Sequence, residues 1–303
     1  MNREKTEALL SAVIDKKKIL RDEPMKNHIS FKVGGPADFL VLPDNREELL
    51  AVLACCRDNA LPFYLMGNGS NLLVRDGGYR GVIIKTRRLD KISVDGDVVT
   101  AEPGALLKDV AQVALEHSLT GVEFASGIPG SIGGAVVMNA GAYGGEMKDI
   151  ISEIEVVTET GALRTIPVAD CAMGYRKSVV QENPWYVVRV TLKLTPGDFD
   201  AIQAEMDDLN HRRVSKQPLE YPSAGSTFRR PEGYFAGKLV QDCGFKGYSV
   251  GGAQVSEKHS GFVINKDNAT AADILALIGE IQAKVKADFG VEMRTEVIVI
   301  GEA

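Results

Sequence analysis

Thirteen of the chain's 31 glycines fall in two short stretches, five within residues 67–81 and eight within residues 121–145. Glycine tolerates positive φ and lets backbone N–H groups close on a ligand, and consecutive N–H groups can form a nest for an anion. A single turn needs one or two glycines, so the denser stretch indicates backbone shaped around a bound group. A pyrophosphate-bearing cofactor is the sharper reading. The plainer alternative is that both stretches are tight turns, and for GNGSN (67–71) taken alone it is the favoured one. The segment GIPGSIGGAVVMNAGAYGGE (127–146) is expected to form neither helix nor strand.

The first 85 residues alternate as a small α/β unit. An amphipathic leading helix carrying Leu9, Leu10, Val13 and Ile14 precedes the strand FLVLPD. Asn45 and Glu48 stand at capping-box spacing and open a helix running to about Asn59. The strand PFYLM follows, then the first glycine loop, the apolar run LLV, a turn at Gly77-Gly78 and GVIIK. Residues 86–195 are expected to be α+β and mostly antiparallel, with hairpins at Asp95-Gly96 and around Thr160-Gly161, a helix ALLKDVAQVALEHSL and a strand WYVVRVTLKL. The helix DFDAIQAEMDDLNHRRVSK then runs into QPLEYPSAGSTFRRPEG, whose composition marks a change of domain. Beyond it come a helix FAGKLVQDCGF and a strand region AQVSEKHSGFVIN. A long helix follows, capped at Asn268-Ala269-Thr270 and ended by Gly290, and the strand TEVIVIG closes the chain.

With 303 residues, 45% of them hydrophobic, the chain can bury a core without metal or disulfide. Its net charge of −6 provides no global field for nucleic acid or anionic lipid. Cys55, Cys56, Cys171 and Cys243 show neither CxxC pairing nor histidines at zinc spacing, so no metal site is expected. The N-terminus lacks the uninterrupted apolar run of a signal peptide, which predicts a cytoplasmic protein without membrane insertion. One segment departs from the acidic balance: residues 210–240 hold Arg212, Arg213, Lys216, Arg229, Arg230 and Lys238 against Glu220 and Glu232, a local +4 that leaves −10 elsewhere. That segment suits one diphosphate, although some of its cations are simply solvated.

No G-x-G-x-x-G after a strand, G-x-x-x-x-G-K-[ST], H-E-x-x-H or G-x-S-x-G occurs, which removes the main support for ordinary Rossmann, P-loop, zincin and α/β-hydrolase readings. Arg176 in MGYRKS could grip a carboxylate or phosphate as a fork, and Ser226 in AGSTF could donate a proton. Glu296 opens an apolar strand. Each of the three, taken alone, reads more readily as a loop or surface residue.

Taken in order, GNGSNLLV (67–74), GIPGSIGGAVVMNAGAYG (127–144), GYRKS (174–178), YPSAGSTFRRP (221–231), AQVSEKHSGFVIN (253–265) and EVIVIG (296–301) resemble the UDP-N-acetylenolpyruvoylglucosamine reductase family, the UDP-N-acetylmuramate dehydrogenases (MurB). The resemblance covers most of the chain. It implies an α+β fold with a two-part FAD-binding region of the vanillyl-alcohol-oxidase type and a C-terminal α+β substrate domain. The parts would be 1–85 with the leading helix, 86–214, and 215–303, whose last strand is a candidate to return to the active site. FAD would be held around its pyrophosphate by Gly67, Asn68, Gly69, Ser70 and Asn71, and elsewhere by Gly130, Ser131, Gly133, Gly134, Asn139 and Gly141. No His or Cys lies between 67 and 71 to link the flavin covalently, so FAD is expected to dissociate.

The implied reaction takes hydride from NADPH, as co-substrate, through FAD to C3 of the enolpyruvyl group of UDP-GlcNAc-enolpyruvate. Its product is UDP-N-acetylmuramate, a peptidoglycan precursor. By resemblance, Arg176 and Glu296 polarise the substrate carboxylate and Ser226 protonates C2. A bare carboxylate at Glu296 would repel the substrate's own, so that side chain is expected to be protonated or hydrogen-bonded in the complex. Lys216 and Arg230 are the favoured substrate cations, with Lys238 and Tyr175 beside them, and Tyr143 and His259 fall where relatives place substrate-pocket groups. The path from GYRKS to WYVVRVTLKL is about seven residues, which leaves no room for the inserted tyrosine loop of some members, and the chain resembles the shorter-loop subgroup. Two other readings stay open: another flavin oxidase or dehydrogenase of the same fold acting on a different sugar or alcohol, and a non-catalytic nucleotide-binding module. The implied partner is a small UDP-sugar, with no nucleic acid.

Overall fold

The computed structural model describes residues 2–303. The chain gathers into two compact units with interleaved segments. The first takes in the chain up to Leu20, Phe39–Asn68 and Gly81–Arg213, and the second Arg21–Asp38, Gly69–Arg80 and Val214–Ala303. The break at Arg213 falls just before the Pro/Gly/Ser stretch that the composition singles out.

The first unit is built on a five-stranded sheet in the order Leu163–Pro167, Ile151–Val157, Tyr186–Lys193, Val98–Ala101, Ile92–Asp95, every neighbour antiparallel. Both expected hairpins form. Asp95 pairs with Val98 across a turn in which Gly96 has φ 59°, and Val157 pairs with Leu163 across a turn in which Gly161 has φ 85°. The helix Leu107–Glu116 buries Leu107, Val110, Ala111, Ala114 and Leu115 in the same core as Val99, Ile154, Val190 and Leu192 of the sheet. Each fully buried Leu, Val or Ile contributes about 1.5–3 kcal/mol. A second core places Leu10, Phe39, Val82 and Ile84 against Leu49, Val52 and Leu53 of the helix Arg46–Asp58. Asn45 caps that helix by accepting from the Glu48 amide at 2.9 Å. Only half of the capping box is made, because the Glu48 carboxylate accepts from the Asp44 amide and Lys18 instead.

Two elements depart from the sequence reading. Ile19–Pro24 is a strand despite its charged sequence, the edge of a four-stranded sheet that continues through Pro36–Val41, Tyr79–Lys85 and Phe63–Met66. The second glycine loop contains a helix, Ile132–Met138, where no regular element was expected. The cause is packing. The Gly133 amide donates to Pro103 O at 3.0 Å, and a Cβ on Gly133 would stand 2.9 Å from that oxygen, so glycine there serves a helix face pressed onto backbone.

In the second unit the antiparallel strands Ser249–Val250, Ala253–Val255 and Val263–Asn265 pack under the helix Ala271–Phe289, which buries Ile274, Leu277, Ile278, Ile281 and Val285. Thr270 and Asp273 form a full capping box, the Asp76 carboxylate accepts from the Ala271 and Ala272 amides, and Gly290 ends the helix at φ 70°. Leu72–Val74 pairs in parallel with Ile298–Ile300, which lays the closing strand beside the run that follows the first glycine loop. The expected helix over FAGKLVQDCGF is present as Ala236–Asp242. Among the described residues no helix is long and apolar enough to cross a membrane.

Candidate functional site

The two glycine loops meet in the first unit. Asn68 Nδ2 donates to Pro129 O at 2.7 Å, and a Cβ on Gly67 would lie 1.9 Å from Ser131 Oγ, so any side chain at 67 would displace that hydroxyl. Residues 130–133 are fastened to 103–107, with Gly130 O accepting from the Leu107 amide, Ile132 N donating to Ala105 O and Gly133 N to Pro103 O. Gly134 is exposed, with Ser131 Oγ 3.6 Å from its Cβ position. The Ser131 hydroxyl is buried and has no hydrogen-bond partner among the described residues. An unmet buried hydroxyl costs about 1–3 kcal/mol, so a cradle of glycine backbone around it fits a polar group of a bound nucleotide, and the residues present fit FAD.

Asn139, fully buried at φ 41°, is engaged by the protein itself. Its Nδ2 donates to Glu146 Oε2 at 2.9 Å and Gly174 O at 3.0 Å, while its Oδ1 accepts from the Lys148 amide at 2.9 Å. It ties the helix end to two tips. In one, Gly141-Ala142 pairs with Gly145-Glu146, and the tip residues Tyr143 and Gly144 both have positive φ, 54° and 96°. In the other, Gly174 and Lys177 exchange backbone hydrogen bonds of 3.0 and 3.1 Å, which puts Tyr175 and Arg176 at the apex. Arg176 has φ 53° and its guanidinium stands 5.1 Å over the Tyr175 ring. Gln181 Nε2 donates to Arg176 O at 3.2 Å and Val137 O at 2.6 Å, and Ser178 Oγ donates to Val137 O at 2.8 Å. Tyr143 and Arg176 therefore sit in a backbone conformation that L-residues avoid, on tips that the scaffold clamps, and such strain gathers at functional positions.

Glu146 lies between these tips. The Lys148 ammonium, the Asn139 amide and the charge of Arg176 hold its carboxyl below its ordinary value of 4.5. A carboxyl depressed by folding contributes stability above its unfolded value and loses it as pH falls through the folded one. Glu146→Gln should therefore be less stable than wild type at neutral pH by up to about 1 kcal/mol, given its partial exposure. The gap should close in thermal unfolding as pH falls through the ordinary carboxylate range and below it. A gap constant across that range would contradict the assignment.

In the second unit, Ser226 is exposed between Gly225, at φ 75°, and the buried Thr227. Thr227 is pinned: its amide donates to Gly261 O at 2.9 Å and its Oγ1 accepts from the Val263 amide at 2.9 Å. Upstream, Ser223 O accepts from Ser30 Oγ at 2.6 Å, and the Ser30 amide donates to Gly69 O at 3.1 Å. Glu296 joins the same framework. Its amide donates to Thr227 O at 2.9 Å, Phe228 pairs with Thr295, and Glu296 O accepts from Asn71 Nδ2 at 3.1 Å. Gly69, Ser70, Asn71, Ser226 and Glu296 thus belong to one unit, and Gly67, Asn68, the second loop and Arg176 to the other. Ser30 carries no signal in the sequence that would have singled it out.

The favoured cations differ in setting. Lys216 is the exposed last residue of the helix Phe199–Lys216. Arg230 lies 4.1 Å over the Phe235 ring and donates from Nε to Tyr234 O at 3.4 Å. Lys238 pairs with Asp242 one turn along its helix, an ordinary surface pair. His259 Nδ1 accepts from the Gly261 amide at 3.0 Å and its ring meets Phe262 edge-on. Burial pushes His259 below its ordinary value, and the amide at Nδ1 leaves Nε2 as the ring's donor in the neutral form.

Residues 217–300 match the family model described as UDP-N-acetylenolpyruvoylglucosamine reductase, C-terminal domain, and residues 37–166 that described as FAD binding domain. Ser226 and Glu296 fall inside the first match and both glycine loops inside the second, while Arg176 lies in neither. Among relatives, the UDP-N-acetylenolpyruvoylglucosamine reductase of Clostridium perfringens strain SM101 is 54% identical over 293 residues, 97% of this chain and 96% of that protein. That of Caldanaerobacter subterraneus subsp. tengcongensis is 52% identical over 293 residues, 97% of each. The crystal structure of the reductase (MurB) from Thermus caldophilus aligns with a TM-score of 0.79 at 34% identity, covering 93% of this chain and 97% of that one. The α+β architecture, an FAD-binding region followed by a C-terminal domain, is the one these matches share. In sequence over nearly its whole length and in fold, the chain belongs to the UDP-N-acetylenolpyruvoylglucosamine reductase family.

Proposed function

We propose that the chain reduces UDP-N-acetylglucosamine enolpyruvate to UDP-N-acetylmuramate at the expense of NADPH, a cytoplasmic step in peptidoglycan precursor synthesis. The observation that supports this most is the backbone framework that holds Ser226 and Glu296 together, since the reaction needs both a proton donor and a group that restrains a carboxylate. Bound FAD supplies hydride transfer from NADPH to C3 of the substrate. Adding hydride at C3 drives charge onto C2 and the carboxylate. The Ser226 hydroxyl then donates its proton to C2. A neutral serine is a weak acid, so it serves only against a strongly basic carbon held close to it.

Arg176, clamped at the apex of its turn, grips the substrate carboxylate with its guanidinium, and Glu296 restrains the same group. Lys216 and Arg230 meet the diphosphate, with Lys238, Tyr175, Tyr143 and His259 as further substrate contacts. Gly67, Asn68, Gly69, Ser70 and Asn71 close on the pyrophosphate of FAD, and Gly130, Ser131, Gly133, Gly134 and Gly141 on the rest, with Asn139 shaping that loop from beneath. Residues 1–85 and 86–214 make the FAD-binding parts and 215–303 the substrate part. The test is direct. The purified protein should carry visible flavin absorbance and consume NADPH beyond one equivalent per flavin only when UDP-N-acetylglucosamine enolpyruvate is present. Turnover with oxygen in its place, or a colourless protein that takes up no FAD, would remove this reading.

A further inference from the structure

Ser30 bridges two loops of the second unit. Its amide donates to Gly69 O at 3.1 Å, and its Oγ donates to Ser223 O at 2.6 Å, three residues before Ser226. One small residue thus spans from that unit's share of the first glycine loop to the turn that carries the candidate proton donor. The segment around it is fixed in turn. Phe31 is fully buried, Asn265 Nδ2 donates to Phe31 O at 3.2 Å, and the Gly35 amide donates to Arg75 O at 3.1 Å, so residues 30–35 form a firm spacer. The far end of the glycine loop has its own tie, since Asn71 Nδ2 donates to Glu296 O and the Ile298 amide to Asn71 O at 3.0 Å. Glu296 is therefore fastened to that loop through Asn71, and the Ser226 turn through Ser30. The base of the turn does not depend on the Ser30 hydroxyl. Ser223 pairs with Ile264, and Pro222 O accepts from the Asn265 amide at 2.8 Å, whatever side chain stands at residue 30. What the hydroxyl adds is the lateral tie between turn and loop.

We propose that Ser30 is a positioning residue for proton transfer from Ser226, holding the Ser226 turn at a set distance from the first glycine loop through the Ser30 Oγ to Ser223 O bond. The inference rests on the reading of this chain as a flavin-dependent reductase of an enolpyruvyl ether. In that reaction hydride reaches C3 and the proton reaches C2, two bonded carbons, so the donor must be placed against a substrate already held at the flavin. A constellation of this kind tolerates about 0.5 Å of error. Only Ala224 and Gly225 separate Ser223 from Ser226, so a shift at the Ser223 carbonyl is passed on to the Ser226 hydroxyl. Ser30 acts through that hydroxyl alone.

In Ser30→Ala holoenzyme, reduction of the flavin by NADPH should keep its wild-type rate. Its reoxidation by UDP-N-acetylglucosamine enolpyruvate, followed by stopped-flow absorbance, should slow about ten- to a hundredfold, the scale of a misplacement of about 1 Å or less. Ser30→Thr keeps the donor oxygen and should recover most of that rate. The double variant is the sharper readout. If Ser30 acts through Ser226, adding Ser30→Ala to Ser226→Ala should slow reoxidation by less than about twofold further, because the group being positioned is already gone. Full additivity of the two substitutions would overturn the proposal, and so would wild-type reoxidation in Ser30→Ala or equal slowing of both half-reactions. Should Ser30→Ala fail to fold, Ser30→Cys decides, since a thiol is of similar size but a weaker donor: slowing confined to reoxidation supports the tie, and none refutes it. Wild-type protein measured alongside keeps the two readings apart. If substrate fails to reoxidise the wild-type flavin, the reductase reading falls and this inference with it, whereas a wild type that turns over beside an unaffected Ser30→Ala removes the positioning role alone.

Discussion

Ser226→Ala should leave reduction of the flavin by NADPH at the wild-type rate and slow its reoxidation by UDP-N-acetylglucosamine enolpyruvate by about 10²–10⁴-fold, the range for losing a positioned general acid. The local structure makes this a clean substitution. Ser226 is exposed, and its shape is set by its neighbours: Gly225 at φ 75° and Thr227, whose amide and hydroxyl are both tied to the strand hairpin. Removing one hydroxyl disturbs none of those bonds, so stability should change by less than about 0.5 kcal/mol, as for other surface substitutions. Stopped-flow absorbance resolves the two half-reactions. Equal slowing of both would show that Ser226 acts on cofactor binding or NADPH access and not as the proton donor.

What was legible in the sequence was mostly local. The hairpins at Gly96 and Gly161, the Thr270 cap and the Gly290 stop each depend on residues adjacent in the chain, and each forms where its motif stands. The helix at Ile132–Met138 was illegible because Gly133 answers to Pro103, thirty residues away, and no pattern within the loop reports that contact. The same holds for the arginines. Arg212 and Arg213 are adjacent and chemically identical, and only the packing of Gly127 and Asn210 separates a solvated ion pair from a desolvated cation. Ser226, Arg176 and Glu296 were singled out by the order of motifs along the chain. Residue by residue they looked like turn and surface groups. The pairing of Thr227 with Glu296 gives two of them a shared framework, and the strain at Tyr143 and Arg176, visible only in dihedral angles, is a mark no composition carries.

That strain separates the function of Arg176 from its structural effect. At φ 53° an L-residue pays about 1–2 kcal/mol that glycine does not, while glycine forfeits about 0.5–1 kcal/mol to its freer unfolded chain. Arg176→Gly should accordingly unfold at or slightly above the wild-type temperature, and Arg176→Ala, which keeps the strained backbone, below the glycine variant. Both should lose about 10²–10³-fold in kcat for the second half-reaction, the scale seen when one preorganised donor to a developing anion is removed. The turn itself survives in either variant, because Gly174 and Lys177 bond through backbone and Gln181 donates to the carbonyl of residue 176, whatever its side chain. The loss therefore reports the guanidinium. Charge grows on the substrate carboxylate only as hydride arrives, so kcat and kcat/KM should fall together, whereas a rise in KM alone would reduce Arg176 to ground-state binding. A glycine variant that kept its kcat would take Arg176 out of the reaction and leave its strained turn without a purpose in catalysis.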